Sequence, residues 1–215
     1  MASTCLTSRP RTGLPSVAGS TTPVVGVLAL QGDFREHLAV LAGLGARTRA
    51  IRRSSELAEI DGLVIPGGES TVIDKLSRSF GLAEPLRDAI ASGLPVYGTC
   101  AGLIMLADRL VDAPASQQTF GGLDVTVRRN AFGTQTDSFE TDFAIPELGA
   151  EPVHAVFIRA PVVEQSGDAV DVLARIPDGR AVAVRQRNLL GTSFHPEMNG
   201  ETRFHELFLR MVAAV

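Results

Sequence analysis

Pro95-Val96-Tyr97-Gly98-Thr99-Cys100-Ala101-Gly102 joins an apolar run to a Gly-x-Cys-x-Gly turn, and Leu103 to Leu106 behind it has the texture of a helix. Such a run predicts a buried strand. Glycines on both sides of the cysteine let the backbone bend sharply, so the thiol projects above the sheet as the next helix begins. The free N–H groups and dipole of a helix N-terminus favour negative charge, which suits a thiolate. An unpaired cysteine is also among the most buried residue types and is commonly inert, so the turn alone leaves its chemistry open.

The reading changes at Thr192-Ser193-Phe194-His195-Pro196-Glu197, where another apolar run ends in a histidine and a carboxylate two residues apart. A nucleophilic cysteine needs a base, and the base needs a third group to fix its tautomer and orientation. In extended backbone, residues i and i+2 point the same way, so His195 and Glu197 can share one side of the chain. The order Cys, His, Glu differs from the nucleophile, acid, histidine order of the α/β-hydrolases, which argues against an esterase or lipase.

Composition narrows the field. The chain has 215 residues, 45% of them hydrophobic, 21 glycines and a net charge of -4, which describes an ordinary globular protein with a sizeable core. Basic residues are scattered, so nothing marks a nucleic-acid surface; Arg47, Arg49, Arg52 and Arg53 read as a solvated face or a partner contact. The two cysteines, Cys5 and Cys100, rule out a disulfide framework and fit a reducing, cytoplasmic setting. No apolar run approaches the roughly 20 residues of a membrane span. Residues 1–22 are rich in Ser, Thr, Pro and Arg without acids, and are expected to be a disordered extension preceding a domain at 23–215.

Within that domain, Val24 to Leu30 reads as a buried strand, and Asp33 is placed to cap a helix from Phe34 to Leu44 that Gly45 closes. A strand at Thr48 to Ile51, a helical piece near Glu56, the run Gly62 to Ile65, and helices at Val72 to Ser79 and Leu82 to Ser92 continue the alternation. This rhythm predicts an α/β fold with a mainly parallel sheet covered on both faces. From Gly121 onward, short runs at 123–128, 138–143, 153–158, 170–175, 181–186 and 189–193 predict antiparallel strands, before a last amphipathic helix at 201–212.

Pro66-Gly67-Gly68-Glu69-Ser70-Thr71 stands at one of these strand-to-helix junctions. Paired glycines leave backbone N–H groups uncovered for an anion or a developing oxyanion. Neither phosphate-loop pattern is present, and a plain turn is the remaining alternative.

Taken together, Gly-x-Cys-x-Gly, His-Pro-Glu and Pro-Gly-Gly-Glu-Ser make the chain resemble the triad-type, class I glutamine amidotransferases. Gly26-Val27-Leu28-Ala29-Leu30-Gln31-Gly32-Asp33-Phe34, Gly67-Gly68-Glu69-Ser70-Thr71, Arg129-Asn130-Ala131-Phe132-Gly133, Asp137-Ser138-Phe139-Glu140 and Phe157-Ile158-Arg159-Ala160-Pro161 resemble, more narrowly, the glutaminase subunits of two-component pyridoxal 5'-phosphate synthases. The resemblance implies a single-domain, three-layer, flavodoxin-like fold. It implies hydrolysis of L-glutamine, with ammonia passed to a synthase subunit, and no cofactor. Carried over residue by residue, it makes Cys100 the nucleophile, His195 the general base and later acid, and Glu197 the orienting carboxylate. It assigns the oxyanion hole to Gly68 and Ala101, and the glutamine site to Gly68, Glu69, Ser70, Arg129, Ile158 and Arg159. Gln31, Gly32, Asp33 and Phe34 are the candidates for sensing the partner.

The chemistry of the residues agrees with these roles: two arginines suit a substrate carboxylate, although each could equally be a surface cation. His37, His154 and His205 are read as surface or partly buried side chains outside the site. Cys100 and His195 fall short of a zinc ligand set. A cysteine peptidase or other thiol hydrolase of the same superfamily, and a non-catalytic redox or scaffold protein, remain as alternatives.

Overall fold

The computed structural model describes residues 22–131 and 138–215. Residues 1–21 of the extension expected at 1–22, Cys5 among them, lie outside the described residues, as do residues 132–137, which hold parts of two motifs. The first half alternates as expected: β1 (Val24–Leu28), α1 (Phe34–Gly43), β2 (Arg47–Ile51), β3 (Gly62–Ile65), α2 (Ser70–Ser79), α3 (Ala83–Ala91), β4 (Val96–Thr99) and α4 (Ala101–Leu106). The second half is mostly strands: β5 (Ala107–Val111), β6 (Leu123–Arg128), β7 (Ser138–Phe143), β8 (Val153–Ile158), β9 (Val162–Ser166), β10 (Asp171–Arg175), β11 (Ala181–Gln186) and β12 (Leu189–Thr192), followed by α5 (Arg203–Ala213).

A ten-stranded sheet runs in the order β2-β1-β3-β4-β12-β11-β9-β6-β5, with β10 added on β11, and β7 pairs with β8 in a separate two-stranded sheet. β2, β1, β3, β4 and β12 are mutually parallel, and antiparallel pairing begins at β11. The fold is therefore α/β, with a mainly parallel centre and antiparallel strands added by the second half.

Alternation along the strands splits the core into two layers, because successive side chains leave opposite faces. Leu63 and Ile65 of β3 and Val96 of β4 pack with Ile73, Leu86 and Met105 from α2, α3 and α4. Val64 and Tyr97 face the other way, into Leu41 of α1 and the α5 residues Phe204 and Phe208. Helices thus cover both faces of the sheet. Among the described residues no helix is long and apolar enough to cross a membrane.

Two differences from the sequence reading concern the second half. β12 pairs antiparallel with β11 as expected but also parallel with β4, matching Thr192 to Thr99. The last strand is thereby inserted in the middle of the sheet. β5 and β9 were not expected as strands; β5 pairs parallel with β6, and β9 antiparallel with it.

Candidate active site

The site lies beyond the carboxyl ends of the central parallel strands, where α/β sheets place their ligand crevices. β4 ends at Thr99, and Cys100 turns the chain with φ 48° and ψ -100°. That is strained backbone for a residue with a Cβ. What holds it there is the close seating of α4 on the sheet. A Cβ at Gly98 would lie 2.5 Å from the Gly102 carbonyl group, and one at Gly102 would collide with the Ile65 carbonyl. Only glycine allows this approach.

From the neighbouring strand β12 the chain continues to His195 and the short turn Pro196–Met198. His195 Nδ1 is 2.8 Å from Glu197 Oε1, and both residues are buried. Burial works against a charge on His195. Its hydrogen bonds with Cys100 and Glu197, and the attraction of their negative forms, outweigh that and raise its pKa from 6.5 to about 10. Cys100, His195 and Glu197 therefore form a continuous line, as the triad requires.

The sign of this shift gives a prediction. A group whose pKa is higher in the folded state stabilises fully below its unfolded pKa, and loses that contribution as pH rises through the folded one. The charged or titratable neighbours of His195 are Cys100, Glu197, Asp33 and His37. Stability in urea is expected to fall between about pH 6.5 and 10, and the fall should be shallower in His195→Asn. Parallel slopes in the two proteins would show that His195 is not its source.

A cavity of about 340 Å³ opens over this line. Gly68, Glu69, Ser70, Arg129, Ile158 and Arg159, all expected at the glutamine site, line it together with Cys100 and His195. Its size suits a small polar ligand. Arg129 is already engaged: its guanidinium donates to Glu69 Oε1 and to Gln117 Oε1, each at 3.0 Å. Gln117 in turn donates to Ser70 Oγ at 3.0 Å. These two bonds use part of the guanidinium's five N–H groups, so the arginine can be oriented by protein and still reach a carboxylate. Gln117 escaped the sequence reading because it lies in a stretch without strand or helix periodicity.

The loop at 31–33 sits directly on the double-glycine loop. The Asp33 N–H donates to the Gly67 carbonyl at 3.3 Å, and the Glu69 N–H donates to Gln31 Oε1 at 2.8 Å. A Cβ at Gly32 would collide with the Gly67 carbonyl. Asp33 occupies the N-cap position of α1, but its side chain makes no capping bond. It turns to the cavity instead, 3.6 Å from His195 Nδ1. Gly32 and Phe34 do not line the cavity; Phe34 stacks beneath the Arg35 and Arg52 guanidiniums.

Asp33, His195 and Glu197 also bring three possible metal ligands within 4.8 Å of one another. Both carboxylates approach the same nitrogen, His195 Nδ1, which the bond to Glu197 already occupies. This grouping is therefore the His195–Glu197 hydrogen bond with Asp33 beside it.

Two of the three remaining histidines correct the sequence reading. His37 and His205 are completely buried, and only His154 is exposed, between Asp142 and Glu140. His37 falls on the inward face of α1 with Leu41, four residues on. His205 lies between Phe204 and Leu207 on the buried face of α5. The periodicity of their helices carried that signal.

Comparison with known proteins gives the family of the chain. The profile of the SNO glutamine amidotransferase family matches residues 27–214. A protein of Clavibacter sepedonicus named pyridoxal 5'-phosphate synthase subunit PdxT is 68% identical over 202 residues, covering 91% of this chain and 97% of that protein. A protein of the same name from Leifsonia xyli subsp. xyli is 68% identical over 193 residues, covering 90% and 96%. A crystal structure of a glutamine amidotransferase superposes with a TM-score of 0.82 at 46% identity, covering 88% of this chain and 98% of that one.

Proposed function

The chain belongs to the SNO glutamine amidotransferase family, and from that premise we infer that it is a glutaminase supplying ammonia for pyridoxal 5'-phosphate synthesis. The relatives named as subunits of that synthase support this activity. The observation that carries it is the line Cys100–His195–Glu197 beneath a pocket that also holds Arg129 and Arg159.

In this reading the Cys100 sulfur attacks the side-chain amide carbon of L-glutamine. The carbonyl oxygen becomes an oxyanion, received by the backbone N–H groups of Gly68 and Ala101. The latter is the first N–H of α4, which a helix leaves without an internal partner. The proton on His195 passes to the amide nitrogen, and the carbon–nitrogen bond breaks to release ammonia. Water, losing a proton to His195, then attacks the thioester, and glutamate leaves as the cysteine is restored. Glu197 keeps the imidazole in one tautomer throughout. Arg129, Arg159, Glu69, Ser70 and Ile158 hold the amino-acid end of glutamine.

Ammonia released to neutral water is mostly protonated and lost as a nucleophile, so a docked synthase subunit is the natural acceptor. Gln31, Gly32, Asp33 and Phe34 are the proposed sensors of docking, since two of them are bonded to the double-glycine loop. A cytoplasmic setting suits a working thiol, and the amidotransferase domain is taken as 23–215.

The test is ammonia release from glutamine with and without the cognate synthase subunit. Weak activity alone and several-fold stronger activity in the complex are expected; equal activity would remove the coupling. Labelling of Cys100 by a glutamine-like diazo-ketone should be prevented by glutamine. Labelling that glutamine does not suppress would favour a different thiol hydrolase.

A further inference from the structure

Behind the triad lies a buried polar line that the reaction above does not use. His37 Nδ1 is 2.9 Å from His205 Nε2, and His37 Nε2 is 3.1 Å from Thr99 Oγ1 and 3.6 Å from Glu197 Oε1. His37, Thr99 and His205 are each fully buried. Thr99 is the residue before the nucleophile, and Glu197 holds the base, so one imidazole contacts the neighbour of the nucleophile and the carboxylate of the triad. α1 brings it there: Asp33 at the start of that helix faces His195, and His37 one turn later faces Glu197.

Hydrogen-bond accounting assigns the tautomers. His205 Nδ1 has no partner among the described residues. A lone pair left there is tolerable, whereas a buried N–H without an acceptor is costly. His205 therefore carries its proton on Nε2 and donates to His37 Nδ1. That nitrogen is then an acceptor, and the His37 proton sits on Nε2, aimed at Thr99 Oγ1 and Glu197 Oε1. The opposite assignment would strand the His205 proton and turn a His37 lone pair toward a carboxylate oxygen.

Both rings are uncharged in this arrangement, consistent with burial holding each below its ordinary pKa, His205 at about 4. Glu197 also needs the help. Its Oε2 has no partner among the described residues, so Oε1 carries the polar contacts of a buried carboxylate.

We propose that His37, oriented by His205, is a positioning residue for the triad: its Nε2–H, held between Thr99 and Glu197, fixes the carboxylate oxygen that receives the His195 Nδ1 proton. The proposal rests on the glutaminase reading above. It adds, behind the base, an imidazole anchored by hydrogen bonds to Thr99 and His205 and in electrostatic contact with Glu197 at 3.6 Å, a supporting layer of the kind that orients ligating and catalytic histidines elsewhere.

The experiment compares His37→Gln, His37→Asn and His37→Leu in complex with the synthase subunit. The glutamine side chain can present an N–H near the position of Nε2; the shorter asparagine reaches only as far as Nδ1. His37→Leu and His37→Asn should lose about 10- to 100-fold in kcat, by analogy with outer-shell partners, with KM for glutamine little changed. His37→Gln should recover most of the loss. Wild-type kcat in a folded His37→Leu, or a His37→Gln as impaired as His37→Leu, would overturn the proposal. Nitrogen-15 NMR of the wild-type imidazoles gives a readout independent of activity and of variant folding. Protons on Nε2 of both rings are expected, and a proton on His37 Nδ1 would overturn the assignment even if the protein proved not to be a glutaminase.

Discussion

The Cys100→Ala variant is expected to lose glutamine hydrolysis by on the order of 10,000-fold or more, the scale seen when a nucleophile is removed from a triad, while its fold is unchanged. Alanine occupies the same backbone angles, φ 48° and ψ -100°, and leaves behind only the volume of a sulfur atom. Cys100→Gly should be equally inactive but should differ in stability. Strained backbone of this kind costs about 1–3 kcal/mol for a residue with a Cβ. Glycine relieves it, offset by the greater chain entropy that glycine loses on folding. The Cys100→Gly variant should therefore be more stable than Cys100→Ala by about 1 kcal/mol. Denaturant melts of the two decide it: a Cys100→Gly variant no more stable than Cys100→Ala would mean that strain at the elbow does not exceed glycine's entropy cost, whereas residual hydrolysis in either would place the nucleophile elsewhere.

The second large effect is expected at His195. Asparagine is smaller than histidine and enters the site without a clash, although the site is tight, since a Cβ at Gly67 would run into the imidazole. It cannot carry a proton from thiol to leaving nitrogen. His195→Asn should cost on the order of 10,000-fold or more in kcat, and much less in KM, because the imidazole acts on the reacting atoms rather than on the amino-acid end of the substrate. Glu197→Gln should cost less, since the orienting carboxylate does not itself take the proton. Single-turnover measurements of thioester formation separate the steps. More than a tenth of wild-type activity in His195→Asn would point to another proton carrier, with Asp33, 3.6 Å from His195 Nδ1, as the first to test.

The grouping of Cys100, His195, Glu197 and the double-glycine loop around one cavity was legible because each follows a strand end with its own local signature: glycine spacing at Cys100, a His-Pro-Glu run, a Gly-Gly junction. The parallel half of the sheet was legible for a related reason, as buried strands alternate there with amphipathic helices. β5 was hidden because Ala107-Asp108-Arg109-Leu110-Val111 follows α4 without a turn and carries two charged residues at the sheet edge. β9 was hidden because only Val162 and Val163 in it are apolar and buried. The insertion of β12 beside β4 could not be read at all, since a run of apolar residues specifies that it pairs but not with what. Nor could the approach of His37 to Glu197, because the periodicity of α1 turns the histidine inward without saying what it meets there.

That central position of β12 has a consequence for the birth of the enzyme. Thr99 and Thr192 are direct neighbours in the sheet, yet nearly half the chain is synthesised between them. A growing polypeptide thus carries its thiol through the synthesis of that stretch before His195, the imidazole that would make it an amidase, is added. The thiol and the imidazole meet only where β12 lies beside β4, so the site does not exist until distant parts of the chain have paired.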